Sequence, residues 1–372
     1  MLFFLMLEKS DIPSAPILVA LSGGVDSSVA AGLLLENGFR VEAAYMKNWI
    51  NEENILGDCP WEEDITAARQ AAEKLGIPFR VVNLMEEYRE KIVEYLLDGY
   101  QRGITPNPDV LCNREMKFGV FLDYALENGY AGVATGHYAR KISKGNGRCG
   151  LALSADDKKD QTYFLALLRQ EQLQKAWFPL ADLTKNEVRQ KAVEWNLPNA
   201  GKKDSQGICF IGNIRMRDFL RHYVPDQPGD IVSREGKVLG SHQGLHLFTI
   251  GQRKGLGIPS NRDFEHYVVV AKDWEKNHLI IDFDRPTSPG LYTEKVEVSD
   301  LSWVDQAVTN ERELLARPRY LDPSGGITFR PLPGGSAEIT FHQPQRAIAP
   351  GQIIALYEGS ELLGGGVYRR VF

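Results

Sequence analysis

The first half of the chain alternates short apolar runs with segments of helical spacing. Ile17–Ala20 is an apolar run typical of a buried strand, and the apolar positions that follow from Val29 keep helical spacing until Asn37-Gly38. The same alternation predicts further strands at residues 40–46, 79–83 and 131–135, and helices at residues 62–75, 86–100 and 114–127. Because strands that alternate with helices form parallel, doubly wound sheets, we expect an α/β fold with its ligands at the carboxyl ends of the strands.

The pattern changes after a break rich in proline and glycine at residues 225–229. Short strand-type runs replace the alternation of strands and helices, and a second break follows at residues 285–290. Beyond it, short strands with turns at residues 322–326 and 333–335 predict a small β-barrel. We therefore expect three domains: an α/β catalytic domain at residues 1–213, a small central domain at 214–284 and a C-terminal β-barrel at 285–372.

Composition favours a soluble protein of more than one domain. The chain has 372 residues, of which 43% are hydrophobic and 25% charged. The apolar stretch Met1–Leu7 is too short to span a membrane, so we expect a cytoplasmic protein without a membrane partner. A net charge of −6 argues against non-specific binding of nucleic acid. Several basic clusters nevertheless favour a patch for a phosphate-rich partner; one of them comprises Arg140, Lys141, Lys144 and Arg148.

A loop rich in glycine and serine joins the first strand to the first helix. Gly23 and Gly24 permit a tight turn, and the hydroxyls of Ser22, Ser27 and Ser28 lie beside the free N–H groups of the helix start. That arrangement is typical of a phosphate site. The loop lacks the lysine of a Walker A motif and the spacing of a dinucleotide fingerprint. Its order S-G-G-x-D-S resembles the PP-loop of ATP pyrophosphatases, which split ATP into AMP and pyrophosphate.

Two of the four cysteines lie in segments of unusual composition. The cysteines stand at positions 59, 112, 149 and 209 without C-x-x-C spacing, which disfavours a zinc ribbon or a thioredoxin-type site. Cys112 is expected in a loop just before a helix that begins at Arg114, and Cys209 in a loop that also carries Lys202 and Lys203. Nearby cations or a helix start would favour a thiolate nucleophile at either position. A structural role remains open for both, and is expected for Cys59 and Cys149.

Motifs distributed over nearly the whole chain closely resemble those of the tRNA-specific 2-thiouridylases (the MnmA/TrmU family). The matching runs span residues 22–28, 46–49, 105–113, 134–138, 159–165, 201–212, 249–257, 319–320, 349–352 and 363–366. The most diagnostic run is G-K-K-D-S-Q-G-I-C-F-I-G at residues 201–212. The resemblance implies a PP-loop domain, a central tRNA-binding domain and a C-terminal barrel. It also implies an enzyme that converts the 2-oxo group of the wobble uridine to 2-thio.

The resemblance implies an ATP site and no dedicated protein metal site. Mg²⁺ would accompany ATP as a second cofactor. The implied ATP-binding residues are those of the loop and two strand ends: Ala20, Leu21, Ser22, Gly23, Gly24, Val25, Asp26, Ser27, Met46 and Gly136.

The resemblance also implies the sulfur chemistry. Cys209 would carry a persulfide loaded by an upstream sulfur-donor protein, and Cys112 would release the sulfur and form a transient disulfide with Cys209. Asp109 completes the implied catalytic set. The implied contacts with the target base and the rest of the tRNA are Asn107, Pro108, Asp109, His137, Lys159, Asp160, Gln161, Arg319, Tyr320 and Gln352. We expect a monomer, because the tRNA itself would span the domains.

Three alternatives remain open on the sequence. Asp109, Cys112 and Cys209 could instead hold an iron–sulfur cluster that carries the sulfide. A PP-loop amide ligase or synthetase for a small metabolite would need neither paired cysteines nor RNA-binding domains. A nucleotide-regulated RNA-binding protein would bind tRNA without cleaving ATP.

Overall fold

A five-stranded parallel sheet forms the centre of the N-terminal part. The computed structural model describes residues 12–49, 61–203, 216–260 and 264–372. With strands numbered along the chain, the sheet order is β3-β2-β1-β4-β7, and every neighbouring pair is parallel. The strands are β1 (Ile17–Ala20), β2 (Val41–Lys47), β3 (Phe79–Asn83), β4 (Gly132–Ala134) and β7 (Ala176–Trp177).

Helices cover both faces of this sheet, as the sequence predicts. Along β1, Ile17 and Val19 pack against α1 and α2, whereas Leu18 and Ala20 face α3 and α4. This alternation is what a strand buried on both sides requires. The helices are α1 (Val25–Glu36), α2 (Trp61–Leu75), α3 (Met85–Tyr88, Arg89–Val93 and Glu94–Gln101 in succession), α4 (Pro108–Leu111, Cys112–Val120 and Phe121–Glu127 in succession), α5 (Gln170–Gln174), α6 (Lys185–Glu194) and α7 (Met216–Tyr223), with short 3₁₀ turns at Thr162–Leu165 and Leu245–Leu247.

The central part is a small four-stranded sheet of order β10-β11-β8-β9. Strands β8 and β11 are parallel, and the other neighbours are antiparallel. The central part contacts the N-terminal part at Thr249, whose Oγ1 lies 3.2 Å from Thr105 Oγ1. The strands are β8 (Gly229–Ser233), β9 (Val238–His242), β10 (Tyr267–Asp273) and β11 (His278–Phe283).

Six antiparallel strands close into the predicted C-terminal barrel. The order is β12-β15-β14-β13-β16-β17, and pairing between β17 and β12 closes it around its own apolar core. The strands are β12 (Tyr292–Trp303), β13 (Arg312–Arg317), β14 (Gly325–Leu332), β15 (Ser336–Arg346), β16 (Ile353–Glu358) and β17 (Glu361–Val371). The predicted architecture, a parallel α/β sheet followed by a smaller domain and a barrel, is confirmed.

A hairpin from the N-terminal part extends the barrel sheet. Strands β5 (Arg140–Gly145) and β6 (Arg148–Ala152) pair with each other, and β6 then pairs with β17. The local sequence pattern does not predict that β6 pairs with β17, because the sheet edge that accepts the hairpin comes from a distant part of the chain. No helix among the described residues is long and apolar enough to cross a membrane.

A buried ion pair joins the N-terminal part to the barrel. Arg317 Nη1 of β13 lies 2.6 Å from Asp160 Oδ2, and the two side chains are only 14% and 1% exposed. Asp160 also accepts hydrogen bonds from Thr162 Oγ1 and the Ser154 N–H, at 2.7 and 3.1 Å. Because every oxygen of this carboxylate has a partner here, the pair fixes the barrel against the segment around residue 160.

Replacing Arg317 by methionine is expected to destabilise the protein by about 3–5 kcal/mol, because the buried Asp160 carboxylate loses its counter-charge. Urea unfolding followed by tryptophan fluorescence measures the change. The control is Arg369→Met, which removes an exposed partner of Glu297 at 3.0 Å and should change stability by less than about 1 kcal/mol. If Arg317→Met unfolds with its midpoint at the same urea concentration as the wild type, the pair is not important for stability.

Candidate functional site

The glycine loop presents the start of α1 to solvent. Gly23 has a φ of +76°, and a Cβ there would lie 2.4 Å from the backbone oxygen of Asp64, so the turn requires glycine. Ser22 Oγ and Ser27 Oγ lie 3.3 Å apart beside the turn. No side chain caps the helix, which begins at Val25, so its first N–H groups are available to a ligand. This is the geometry of an anion site.

Asn199 holds the loop from behind. Its Nδ2 donates to the carbonyl oxygens of Gly23 and Gly24, both at 3.1 Å, and to Ser28 Oγ at 2.9 Å. The Asn199 side chain is buried, so these hydrogen bonds are shielded from water. They fix the loop in one conformation, a role that the composition of the turn around Asn199 does not reveal.

The ends of the three central strands meet at the loop. β1 lies between β2 and β4, and all three run in the same direction. A Cβ on Gly136, just beyond β4, would lie 2.7 Å from the backbone nitrogen of Ser27. Met46 lies at the end of β2. The predicted neighbourhood of Ser22, Met46 and Gly136 is thus present, while their contacts with ATP remain predictions.

Asp26 is tied to two other parts of the domain. Its Oδ1 accepts a hydrogen bond from Tyr138 Oη at 2.9 Å. Lys185 Nζ, at the start of α6, lies 2.7 and 2.9 Å from the two carboxylate oxygens. Neither Lys185 nor the Tyr138 hydroxyl was indicated by the sequence, because both are far from the loop along the chain.

Cys112 lies in a helix, and its expected position in a loop before Arg114 is wrong. α4 already begins at Pro108, where Asn107 Oδ1 caps it by accepting the Val110 N–H at 3.2 Å. An asparagine cap followed by proline at the first helical position is a strong start signal. Cys112 opens a π-helical stretch of α4 and is only 4% exposed.

Asp109 and His137 are both desolvated by burial, and both interact with the ammonium of Lys117. Burial raises the pKa of the Asp109 carboxyl, and the Lys117 ammonium opposes this shift. Burial, and next the same ammonium, lower the pKa of His137 well below its usual value, which keeps the imidazole neutral. His137 Nδ1 lies 2.7 Å from Thr135 Oγ1, and its ring packs 6.1 Å from that of Phe118 of α4. Through Phe118 and Lys117, α4 contacts the segment that carries Gly136 and His137.

The predicted tRNA contacts at residues 159–161 border the site from the barrel side. Gln161 Oε1 accepts the Tyr138 N–H at 3.1 Å, and the Gln161 N–H donates to the Tyr138 carbonyl at 2.8 Å. Asp160 is 3% exposed and occupied by Arg317. Lys159 is partly exposed. The side chain of Asp160 therefore has a structural partner, and the three predicted tRNA contacts stay predictions.

The predicted contacts on the barrel face the beginning of α4. Gln352 Nε2 donates to the Thr105 carbonyl at 2.8 Å, two residues before Asn107. Arg319 Nε lies 2.7 Å from Asp322 Oδ2, and the Tyr320 ring packs 4.2 Å from that of Phe164. Gln352 thus positions the segment leading to Asn107, whereas Arg319 and Tyr320 contact Asp322 and Phe164, and all three tRNA contacts stay predictions.

The cations of the basic cluster at residues 140–148 have intramolecular partners, although they remain partly exposed. Lys141 Nζ donates to two backbone carbonyls at 3.0 Å, and the other three cations are paired with carboxylates: Arg140 with Asp182, Lys144 with Glu361, and Arg148 with Asp305. These pairs attach the β5–β6 hairpin to its neighbours.

A cleft of about 1000 Å³ lies between α4 and the barrel. Asn107 and Arg114 line one side, and Arg148 and Trp303 line the other. Cations and carboxylates alternate around it, since Arg114 contacts Glu115 at 2.6 Å and Arg148 contacts Asp305. The cleft places predicted base-contact residue Asn107 at an accessible edge of the domain interface.

Cys209 lies outside the described residues, as do Cys59 and the rest of the run at 204–215. The pairing of Cys112 with Cys209 therefore remains a prediction. Within the described ranges, no group of three or more histidine, cysteine, aspartate or glutamate side chains could hold a metal ion.

The fold and this site define a class: an α/β protein with an open, glycine-rich phosphate loop, extended by two β domains. Family models match all three parts, described as a tRNA methyl transferase HUP domain at 15–213, a tRNA methyl transferase PRC-barrel domain at 217–282 and an aminomethyltransferase β-barrel domain at 293–368. Curated relatives refine the class. The chain belongs to the family of tRNA-specific 2-thiouridylases.

Two relatives named tRNA-specific 2-thiouridylase MnmA illustrate the match. The protein of Akkermansia muciniphila is 53% identical over 357 residues, which cover 96% of this chain and 99% of the relative. That of Bacillus subtilis is 44% identical and covers 96% of this chain and 95% of the relative. A solved structure of a 4-thiouridine synthetase in complex with RNA and bound ATP is 20% identical to this chain. The match covers 53% of this chain and 45% of the synthetase chain, and its TM-score of 0.36 is too low to support an argument.

Stability is expected to fall as pH drops below about 6.5, because burial lowers the pKa of His137. Below that pH the unfolded chain binds a proton that the folded imidazole refuses, so stability present above pH 6.5 is lost with decreasing pH. Thermal unfolding at several pH values between 5.5 and 7.5 measures this loss. His137→Asn should reduce the slope, by up to about 1.4 kcal/mol per pH unit.

Val193→Thr is the control, because Val193 is exposed and carries no titratable group. It should leave the pH dependence of unfolding unchanged. A wild-type slope in His137→Asn would show that this imidazole is not held neutral by the fold.

Proposed function

We propose that this protein is an ATP-dependent tRNA sulfurtransferase that replaces the 2-oxygen of the wobble uridine by sulfur. The observation that carries the proposal is the open start of α1, whose loop is held by Asn199 and packed against Gly136. The next residue, His137, packs on Phe118 of α4, the helix that carries Cys112. Its relatives named 2-thiouridylases, matched along almost their full lengths, support the same reaction. The protein acts as a cytoplasmic monomer in this proposal.

The first half of the reaction activates the base. The uracil 2-oxygen forms a bond to the α-phosphorus of ATP, the bond from that phosphorus to the bridging oxygen breaks, and its electron pair leaves with pyrophosphate. The N3 proton of the base passes to water. The N–H groups of α1 and the hydroxyls of Ser22 and Ser27 bind the phosphate oxygens, where negative charge develops. AMP on the former 2-oxygen is then a good leaving group.

The second half delivers sulfur. Cys209 carries a persulfide received from a sulfur-donor protein, and the Cys112 thiolate attacks the Cys209 Sγ. The outer sulfur leaves as hydrosulfide, while Cys112 and Cys209 form a disulfide that a thiol reductant later reopens. Hydrosulfide adds to C2 of the base, and AMP departs. Asp109, one turn before Cys112, helps to bind the base together with Asn107 and Pro108.

The substrate base has to leave its stack to reach this site. Enzymes that modify a base commonly bind it unstacked, and an anticodon loop offers such bases. Asn107 lines the cleft between α4 and the barrel, and this cleft gives access to the beginning of α4. In the proposal, His137, Lys159, Asp160 and Gln161 contact the tRNA near the base, and Arg319, Tyr320 and Gln352 contact it from the barrel.

Mg²⁺ enters as part of the substrate, Mg·ATP. No group of three potential ligands lies among the described residues, so these residues provide no resident metal site. An iron–sulfur cluster on Asp109, Cys112 and Cys209 is the rival route for sulfur. Full activity of an anaerobically purified, iron-free enzyme would exclude it.

Gly136→Ala is expected to weaken ATP binding at least tenfold, because its Cβ would collide with the backbone of Asp26 and Ser27 at 2.8 and 2.7 Å. Isothermal titration with Mg·ATP measures the affinity. Gly325→Ala is the control, since a Cβ there meets nothing within 4 Å, and it should bind ATP like the wild type. Unchanged affinity in Gly136→Ala would place the nucleotide elsewhere.

Cys209→Ala and Cys112→Ala are each expected to abolish 2-thiouridine formation while leaving ATP affinity intact. Nucleosides from tRNA incubated with enzyme, Mg·ATP and a persulfide donor are analysed by mass spectrometry. Cys149→Ser, at a partly exposed position on the β5–β6 hairpin, serves as the control with full activity.

A pyrophosphate assay on the same mixtures separates the alternatives. Thiolation by Cys209→Ala would overturn the sulfur route. Pyrophosphate release without tRNA would favour a small-molecule ligase. Binding of tRNA without any pyrophosphate release would indicate a non-catalytic RNA-binding protein.

A further inference from the structure

The glycine loop has no lysine of its own, yet a lysine from another helix reaches it. Lys185 Nζ contacts both carboxylate oxygens of Asp26, at 2.7 and 2.9 Å. Its side chain is only 12% exposed. Asp26 belongs to the first turn of α1, the turn whose N–H groups face the anion site. Lys185 therefore supplies a positive charge at the place where the sequence of the loop provides none.

The backbone of Lys185 is fixed by contacts on three sides. Thr184 and Glu187 form a capping box, in which Glu187 Oε2 accepts the Thr184 N–H at 2.7 Å. The Lys185 N–H itself donates to Asp156 Oδ2 at 2.8 Å. The body of α6 packs against α1 through Val188 and a cluster of apolar side chains. The start of α6 is thus held at the loop, while the lysine stem keeps rotatable bonds that permit exchange of partners.

The Asp26 carboxylate binds the Lys185 ammonium in the way that a phosphate group would. A carboxylate oxygen and a phosphate oxygen are both anionic acceptors for an ammonium group. A triphosphate at the start of α1 brings several such oxygens next to the Asp26 carboxylate. When Lys185 changes partner, Asp26 keeps the hydrogen bond from Tyr138 Oη at 2.9 Å. The exchange therefore leaves the carboxylate with a hydrogen-bond donor and gives the ammonium a new anionic partner.

We propose that Lys185 is a catalytic residue whose ammonium moves from Asp26 to the β- and γ-phosphates of ATP and stays with the departing pyrophosphate. This inference rests on the proposed adenylation of the tRNA base. As the bond between the α-phosphorus and the bridging oxygen breaks, the electron pair moves onto pyrophosphate. A cation at that point stabilises the transition state more than it stabilises bound ATP. It therefore acts mainly on the rate.

Three variants test the role of the charge. Lys185→Met keeps the apolar stem, and Lys185→Gln also keeps a hydrogen-bond donor for Asp26; neither carries a positive charge. The first turnover of pyrophosphate release, from full-length enzyme mixed with Mg·ATP and tRNA, is expected to slow about 100-fold in both. ATP affinity, measured by titration, should fall by less than tenfold. A third variant, Lys185→Ala, leaves space for an amine, and added ethylammonium should restore part of its rate only if a cation is missing.

Lys191→Ala is the matched control. Lys191 lies on the same helix and also contacts α1, with its Nζ 3.3 Å from Glu36 Oε2 at the opposite end of α1. It should release pyrophosphate within twofold of the wild-type rate. A merely structural role of lysines between α6 and α1 would affect Lys191→Ala and Lys185→Met alike.

The outcomes separate this inference from the proposed function. If the wild type releases no pyrophosphate with tRNA, the proposed function fails. If the wild type does so and Lys185→Gln keeps a rate within threefold of it, the charge of Lys185 is not used and the inference is overturned. A slowed Lys185→Gln variant with near-normal ATP affinity, together with an unaffected Lys191→Ala, supports it.

Discussion

The uncapped start of α1 is the feature on which the rest of the site depends. Its free N–H groups and partial positive charge favour an anion, but an exposed helix end of this kind has little rigidity alone. Asn199 fixes the carbonyls of Gly23 and Gly24, and Gly136 lies in van der Waals contact with the first turn. Because these supports come from other parts of the sheet, the loop is preorganised before any ligand arrives.

One stretch of chain, residues 154–162, connects that helix start with the barrel. Asp160 bonds Arg317 of the barrel, Gln161 pairs with the backbone of Tyr138, and Asp156 accepts the N–H of Lys185. Tyr138 and Lys185 then both contact Asp26. A contact chain of this kind carries a signal only if its members have two arrangements. The partner exchange proposed for Lys185 would give this chain of contacts two arrangements at its phosphate-loop end.

The sequence predicts the elements of this protein better than their mutual contacts. The glycine loop, the parallel sheet and the barrel follow from local patterns, because periodicity and turn residues act over a few positions. The sequence pattern predicts a loop at Cys112, because the density of turn-forming residues obscures the helix start at Asn107 and Pro108. The β5–β6 hairpin was not recognised as part of the barrel, because its attachment through Arg148 and Leu151 is decided by distant chain segments.

Charge placement shows the same limit and also its consequence for the reaction. A Walker-type loop carries its lysine within the loop, where the sequence reveals it. Here the lysine lies on α6, and only packing of α6 on α1 brings it to Asp26. The leaving group of the proposed reaction is the whole pyrophosphate, whose charge would hold a permanently fixed cation tightly. In the proposed exchange the ammonium stays with pyrophosphate while the bond breaks and returns to Asp26 afterwards, so competition from Asp26 favours the release of pyrophosphate. The separation of loop and lysine in the chain therefore suits an enzyme that has to bind a triphosphate and then let most of it go.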